Sequence, residues 1–176
     1  ALSYRYQSQR KLDEALTAAR EAIGKSPAFG YAHARVAELE FSFGRTSLSR
    51  NALTRAIELS PRNAQAVALQ GFLHAAKGNS TDATASFNQA IELDGALGNA
   101  WLGRGLVRFQ QGNVTEGLAD LKATAALEPN RALLRSYLGK GFETDGDLDH
   151  ALEELGIAKK LDPGDPTAWL YSSLIR

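Results

Sequence analysis

The side chains with the most chemical potential in this sequence stand at regular intervals. Glu40, His74 and Arg108 follow one another 34 residues apart, and Gln70 and Arg104 lie four residues before the last two. If the chain repeats its structure with that period, equivalent residues of adjacent repeats are neighbours. Glu40, His74 and Arg108 then stack as a polar ladder with Gln70 and Arg104 beside them. Charges drawn into a helical interior must be paired, because desolvation penalises an isolated ion. The ladder therefore reads first as a structural network of ion pairs and hydrogen bonds. Its second reading is a polar pocket for an acidic or amide group of a partner. One imidazole and one carboxylate are too few for a zinc site, and no nucleophile accompanies them. His33 and His150 stand apart from the ladder. There is no phosphate loop and no dinucleotide fingerprint. Catalysis is not expected, and neither is a metal or any other cofactor.

The elements that must position these residues follow from the same period. Ser26-Pro27, Ser60-Pro61, Asp94-Gly95, Glu128-Pro129 and Asp162-Pro163 recur every 34 residues. Small residues keep step with them: Ala15, Ser49, Ala83, Gly117 and Ala151 in one register, Ser3, Ala37, Gly71, Gly105, Gly139 and Ser173 in another. Each repeat holds two stretches of helical period with a glycine between them: Gly44, Gly78, Gly112 or Gly146. A left-handed glycine ends a helix at low steric cost, and proline after the second stretch blocks its continuation. Thr46-Ser47, Asn79-Ser80-Thr81, Asn113-Val114-Thr115 and Asp147-Leu148-Asp149 are expected to cap the second helices. That role accounts for the two glycosylation sequons among them. The pattern predicts first helices near 1–9, 31–43, 65–77, 99–111, 133–145 and 167–176. Second helices are predicted near 13–25, 47–59, 81–93, 115–127 and 149–161.

This pattern resembles the tetratricopeptide repeat, whose 34-residue unit reads W-x2-L-G-x2-Y, then A-x3-F, then A, then P. One repeat carries it as Trp101, Gly105, Leu121, Thr124 and Pro129; another as Gly71, Ala83, Phe87 and Ala90; a third as Leu138, Gly139, Phe142, Ala151, Leu155, Ala158 and Pro163. The resemblance covers the whole chain and implies an all-α, right-handed superhelical solenoid of antiparallel helix pairs. The repeats run approximately over 1–29, 30–63, 64–97, 98–131 and 132–165, with a partial one over 166–176, as one array.

In that family the first helices line a concave wall. Carrying its positions over gives a groove of Tyr31, Glu38, Phe41, Phe72, Leu102, Leu106 and Phe109, apolar in the middle and flanked by Ala34, Ala68, Ala75 and Ala76. An exposed apolar strip of this kind implies a covering partner, here an extended peptide or an amphipathic helix. The carboxylate clamp of chaperone-tail binders is absent: Ala34, Ala68, Leu102, Ser136 and Leu170 stand where its lysine would, and Tyr4, Glu38, Phe72, Leu106, Lys140 and Leu174 where its asparagine would. The asparagine ladder of glycosyltransferase-linked repeats is absent as well.

Twenty basic residues balance twenty acidic ones. A nucleic-acid binder needs a basic surplus to displace counterions, so nucleic acid is not an expected partner. No stretch is apolar enough to insert in a bilayer. Without cysteine there is neither disulfide nor thiolate metal site, and the compartment stays open. Residues 1–62 hold ten Lys/Arg against six Asp/Glu, and residues 63–176 hold ten against fourteen. The absence of a starting methionine points to a piece of something longer. The last helix has no following partner, so Trp169, Leu170 and Leu174 form an apolar edge suited to self-association. A protein- or peptide-binding module is the leading expectation. The alternatives are a head-to-tail scaffold and the regulatory arm of a larger enzyme.

Overall fold

Apolar residues recur with helical period on both sides of each turn, and the computed structural model, which describes residues 2–175, is helical on both sides. Up to Asp94 the helices are α1 (Leu2–Ser8), α2 (Leu12–Lys25), α3 (Gly30–Ser42), α4 (Thr46–Leu59), α5 (Ala64–Ala75) and α6 (Ser80–Leu93). From Gly95 they are α7 (Gly98–Gln110), α8 (Val114–Leu127), α9 (Ala132–Asp145), α10 (Leu148–Leu161) and α11 (Pro166–Leu174). Every bound lies within two residues of its predicted place; the predictions for Ala1 and Arg176 fall outside the described residues. No strand occurs among the described residues. The two sets of helices form two compact units, and the division falls at Asp94-Gly95, the one repeat junction without proline.

The turn inside each hairpin is set by its backbone. Gly44, Gly78, Gly112 and Gly146 have φ of 73, 79, 82 and 90°. The N–H after each glycine reaches back along the helix: Arg45 to the Glu40 carbonyl at 2.9 Å, Asn79 to His74 at 3.0 Å, Asn113 to Arg108 at 2.9 Å and Asp147 to Phe142 at 2.9 Å. This is the Schellman arrangement. It puts the ladder residues Glu40, His74 and Arg108 in the last turn of their helices. At the same place after α1, Arg10 takes φ of 60° without being glycine.

The expected side-chain caps need correction. Asp147 alone among them caps its helix, accepting from the His150 N–H at 3.2 Å. Asn79 and Asn113 make no such bond, and Arg45 rather than Thr46 occupies the cap of α4. The hairpin turn holds ψ of Arg45, Asn79 and Asn113 at 65, 71 and 68°. The effective caps Asn63 and Asp165 are more extended, with ψ of 98 and 114°. An extended cap backbone is what turns the side-chain oxygen onto the helix's first free N–H groups.

Small residues let paired helices approach. A methyl group at Gly71 of α5 would lie 2.7 Å from the Phe87 ring of α6, so glycine is required there. In the neighbouring hairpin Ser49 of α4 donates to the Ala37 carbonyl of α3 at 2.8 Å, and both residues are fully buried. The first unit's core gathers Ala15, Leu16, Val36 and Leu39 around α2 and α3, then Ala37, Leu53, Ala56 and Leu69 around α3, α4 and α5. The second unit's core is built on Leu118, Leu121, Leu134, Leu138 and Phe142, from α8 and α9.

Candidate functional site

Glu40 lies on α3 with only 1% of its surface exposed. Its Oε1 meets Arg20 Nη2 of α2 at 2.5 Å, and its Oε2 meets Arg45 Nη1 of the following turn at 3.4 Å. The carboxylate is thus bracketed by two cations whose own side chains are half exposed. His74, on α5, has Nδ1 3.8 Å from Asp82 Oδ2 of α6. Gln70 sits one turn before it, and both line a cleft between α4 and α5. In the second unit Arg104 and Arg108 of α7 converge on Asp120 of α8. Arg104 Nε and Nη2 lie 2.9 and 2.8 Å from the two Asp120 oxygens, and Arg108 Nη1 is 2.7 Å from Oδ2. Asp120 is 2% exposed, and the Arg104 guanidinium also stands 4.7 Å over the Trp101 ring.

Within the first unit, the expected pairing of Glu40 with His74 is therefore corrected. Glu40 and the Arg104/Arg108 pair find counter-charges on a second helix or turn of their own unit, and the His74 ring faces Asp82 on α6. The reason is reach. Asp82 and Asp120 lie on the second helix that packs on their own first helix, and Arg20 on the second helix of the preceding repeat, all within reach of a first helix's last turns. None of those three stands out in the sequence as a ladder partner. Asp120 has one signal: it directly precedes Leu121, in the register of Phe87 and Leu155, where a charge must be buried. The Glu40 and Asp120 groupings are buried ion-pair sets, suited to holding helices in register, whereas His74 and Asp82 form a looser, more exposed contact.

The face proposed to bind a partner divides differently in the two units. In the first, Tyr31 is 53% exposed, whereas Phe41 and Phe72 are half-buried. The Phe72 ring meets the Phe87 ring edge-on at 5.0 Å, so it is a core group with one side open. Glu38 accepts from Arg35 Nη1 at 3.0 Å; burial raises its carboxyl above the ordinary range while Arg35 opposes that shift. Arg35 is itself buried, bonded to Ser3 and Gln7 and stacked 4.0 Å from the Tyr4 ring. The exposed Tyr4 hydroxyl reaches Gln65 Oε1 of α5 at 3.5 Å. In the second unit Leu102 is buried and leaves little surface for a ligand. Leu106 and Phe109 are half-buried against Leu118, Leu121 and Leu138. A methyl at Gly117 would come within 2.9 Å of the Phe109 ring, which therefore wedges α7 against α8.

On α11, Trp169, Leu170 and Leu174 are 55, 58 and 55% exposed. Trp169 is steadied by its indole N–H to the Pro163 carbonyl at 3.2 Å and by Lys159 over its ring. Among the described residues no three His, Cys, Asp or Glu side chains converge as a metal site, and no helix is long and apolar enough to cross a membrane.

No curated protein matches the chain. Among solved structures it is similar to TTC0263, a thermophilic TPR protein of Thermus thermophilus, at 23% identity and a TM-score of 0.83, over 98% of this chain and 94% of that one. It is also similar to YrrB, described as a TPR protein with an unusual peptide-binding site, at 17% identity and a TM-score of 0.62, over 97 and 88% of the two chains. A chain of the APC/C hetero-tetramer Cut9–Hcn1 aligns with 97% of this chain over 34% of its own length, at 13% identity and a TM-score of 0.84. At these identities the likeness establishes the fold. The family model of the tetratricopeptide repeat matches residues 37–98, 73–132 and 102–166. With the 34-residue period, the hairpin turns and these matches in agreement, the chain belongs to the tetratricopeptide repeat family.

Proposed function

We propose that this protein is an interaction module that holds a segment of a partner protein on the face of its first helices, without catalysing a reaction or carrying a cofactor. Repeats of this family generally mediate contacts between proteins. The observation that supports the site is the exposed Tyr31, on the same helix as the half-open Phe41 and beside a helix carrying the half-open Phe72. Aromatic groups with an open side can act as anchors for a partner, and anchors of this kind dominate interface energies. The second unit, taken by itself, presents the outer edges of Leu106 and Phe109 on its first helix α7, over the buried Leu102. Glu38 supplies a polar group for register. The zero net charge favours a protein or peptide over nucleic acid.

The test is a titration of the partner against Tyr31→Ala and Phe72→Ala proteins. An anchor is worth about 2 kcal/mol, so each substitution weakens binding about tenfold or more. Tyr31→Ala leaves the melting temperature unchanged; Phe72→Ala lowers it as well, because Phe72 packs on Phe87. Full affinity in a Tyr4→Ala/Tyr31→Ala protein would place the site elsewhere.

Exposure of Trp169, Leu170 and Leu174 supports a second reading, self-association through α11. Sedimentation velocity distinguishes it: Trp169→Ser together with Leu170→Ser abolishes association under that reading and leaves partner binding intact under the first.

A further inference from the structure

At two seams between successive repeats, large apolar side chains fill most of the joint. At the seam of α8 and α9 the plugs are Leu118, Leu138 and Phe142, all buried. At the seam of α2 and α3 the first two of these places hold Leu16 and Val36, also buried, and the third holds Glu40 sealed by Arg20. At the seam of α4 and α5 the same three places hold Arg50, Gln70 and His74. None of the three is buried, and a cleft of about 350 Å³ opens there. Its floor is Leu53, Ile57 and Leu73. That volume is at the small end of the range for ligand pockets, roughly 300–1,000 Å³, and suits one or two anchoring side chains.

The charge at the mouth selects among occupants. Arg50 and Lys77 stand on its two sides, and neither has an ion pair or side-chain hydrogen bond among the described residues. His74 adds a third nitrogen base. Of the facing acids, Glu58 is paired with Arg55 at 3.0 Å, and Asp82 lies 3.8 Å from His74 with most of its side chain in solvent. An apolar floor under two uncompensated cations matches an apolar anchor with carboxylates beside it. The cleft lies on the side of α5 that carries Gln70, Leu73, His74 and Lys77, spaced as one helical stripe, half a turn away from Phe72. It is thus separate from the first-helix face and does not depend on that reading.

We propose that the α4/α5 seam is a second docking site, which takes an apolar side chain of an acidic partner segment and pairs the flanking carboxylates with Arg50 and Lys77. This seam has no apolar plug of its own at those three places, and the partner supplies one.

The experiment uses three acetylated, amidated peptides: Leu-Phe between pairs of Asp and Glu, the same with Lys for every acid, and the acidic one with Ser for Leu-Phe. Binding is read by fluorescence anisotropy, and its place by methyl chemical shifts of Leu53, Ile57 and Leu73. Only the acidic apolar peptide is expected to bind and to move those methyls. Arg50→Leu/Gln70→Leu/His74→Phe restores the plugs of the α8/α9 seam, so it raises the melting temperature and weakens binding at least tenfold. Lys77→Glu, a surface change, also weakens binding while leaving the fold intact. The proposal is overturned if no peptide binds, if the basic peptide binds equally, or if the plugged protein keeps full affinity. Self-association that disappears on plugging would assign the cleft to a second copy of the chain and overturn the acidic-segment assignment.

Discussion

Asp120 is the most telling position at which to perturb the second unit. Its carboxylate is 3% exposed and makes three bonds of 2.7 to 2.9 Å to Arg104 and Arg108. Asp120→Ala removes the shared anion and leaves both guanidinium groups in place, with side chains 13 and 27% exposed. Removing one partner of a buried ion pair costs roughly 3–5 kcal/mol, because the remaining charge stays desolvated. Arg108 is a quarter exposed and recovers some hydration, which puts the expected loss at about 3 kcal/mol, the low end of that range. Arg108→Ala keeps the bidentate Arg104–Asp120 pair and should cost only about 1 kcal/mol, less than a fully buried charged bond. Replacing all three residues by leucine removes the charges and their desolvation together. That protein should lie within about 1 kcal/mol of the original, as buried ion clusters exchanged for apolar groups commonly do. Urea unfolding followed by helical circular dichroism measures all three. If Asp120→Ala costs no more than Arg108→Ala, the cluster is not a buried charge set, and the reasoning fails.

Other expectations follow from the turns and from one exposed cap. Gly78 has φ of 79° and open space around its Cβ position, so Gly78→Ala carries backbone strain alone and should lose about 1 kcal/mol in the same melts. Arg10→Gly relieves the one non-glycine left-handed residue among those described and should gain about 0.5 kcal/mol; a loss instead would mean that the arginine side chain outweighs the strain. Asp147 has its carboxyl held below the usual range, first by the His150 ring at 2.6 Å and then by the His150 N–H. A depressed carboxylate contributes stability that is present above its unfolded value, about 3.9, and is lost as pH falls through the lower folded one. Asp147→Asn should therefore lower the melting temperature near pH 5, by an amount that shrinks towards zero in strong acid. An unchanged difference at both ends would exclude the charge as its source.

Much of this architecture is legible in the chain because its determinants are local. A helix needs apolar periodicity within a dozen residues, and a Schellman turn needs one residue at ease in the left-handed region. Gly44, Gly78, Gly112 and Gly146 carry both the stop and the spacing. The register of small residues even indicates which helices approach most closely, as Gly71 against Phe87 shows. The side-chain caps were less legible, since Asn79 and Asn113 have the right chemistry but a ψ fixed by the turn before them.

The 34-residue period by itself determined that Glu40, His74 and Arg108 are equivalent; only the packing decided which group each one meets within its own unit. Equivalence is a property of position along the chain, whereas an ion pair requires a few ångströms between particular atoms. The helix that supplies the closest counter-charge lies within the same hairpin for Arg108 and His74, and in the preceding repeat for Glu40. The same distinction separates Phe72 and Phe109 as a sequence sees them, aromatic residues on a ligand face, from what tertiary contact makes of them. Packed against Phe87 and above Gly117, their rings were half consumed in joining helices, because a side chain on the inner face of one helix also borders the next. The α4/α5 cleft is the reverse case. Arg50, Gln70 and His74 are ordinary polar residues in the sequence, 20 and 4 positions apart in turn. They define a cavity only when two helices bring them to a seam without apolar plugs.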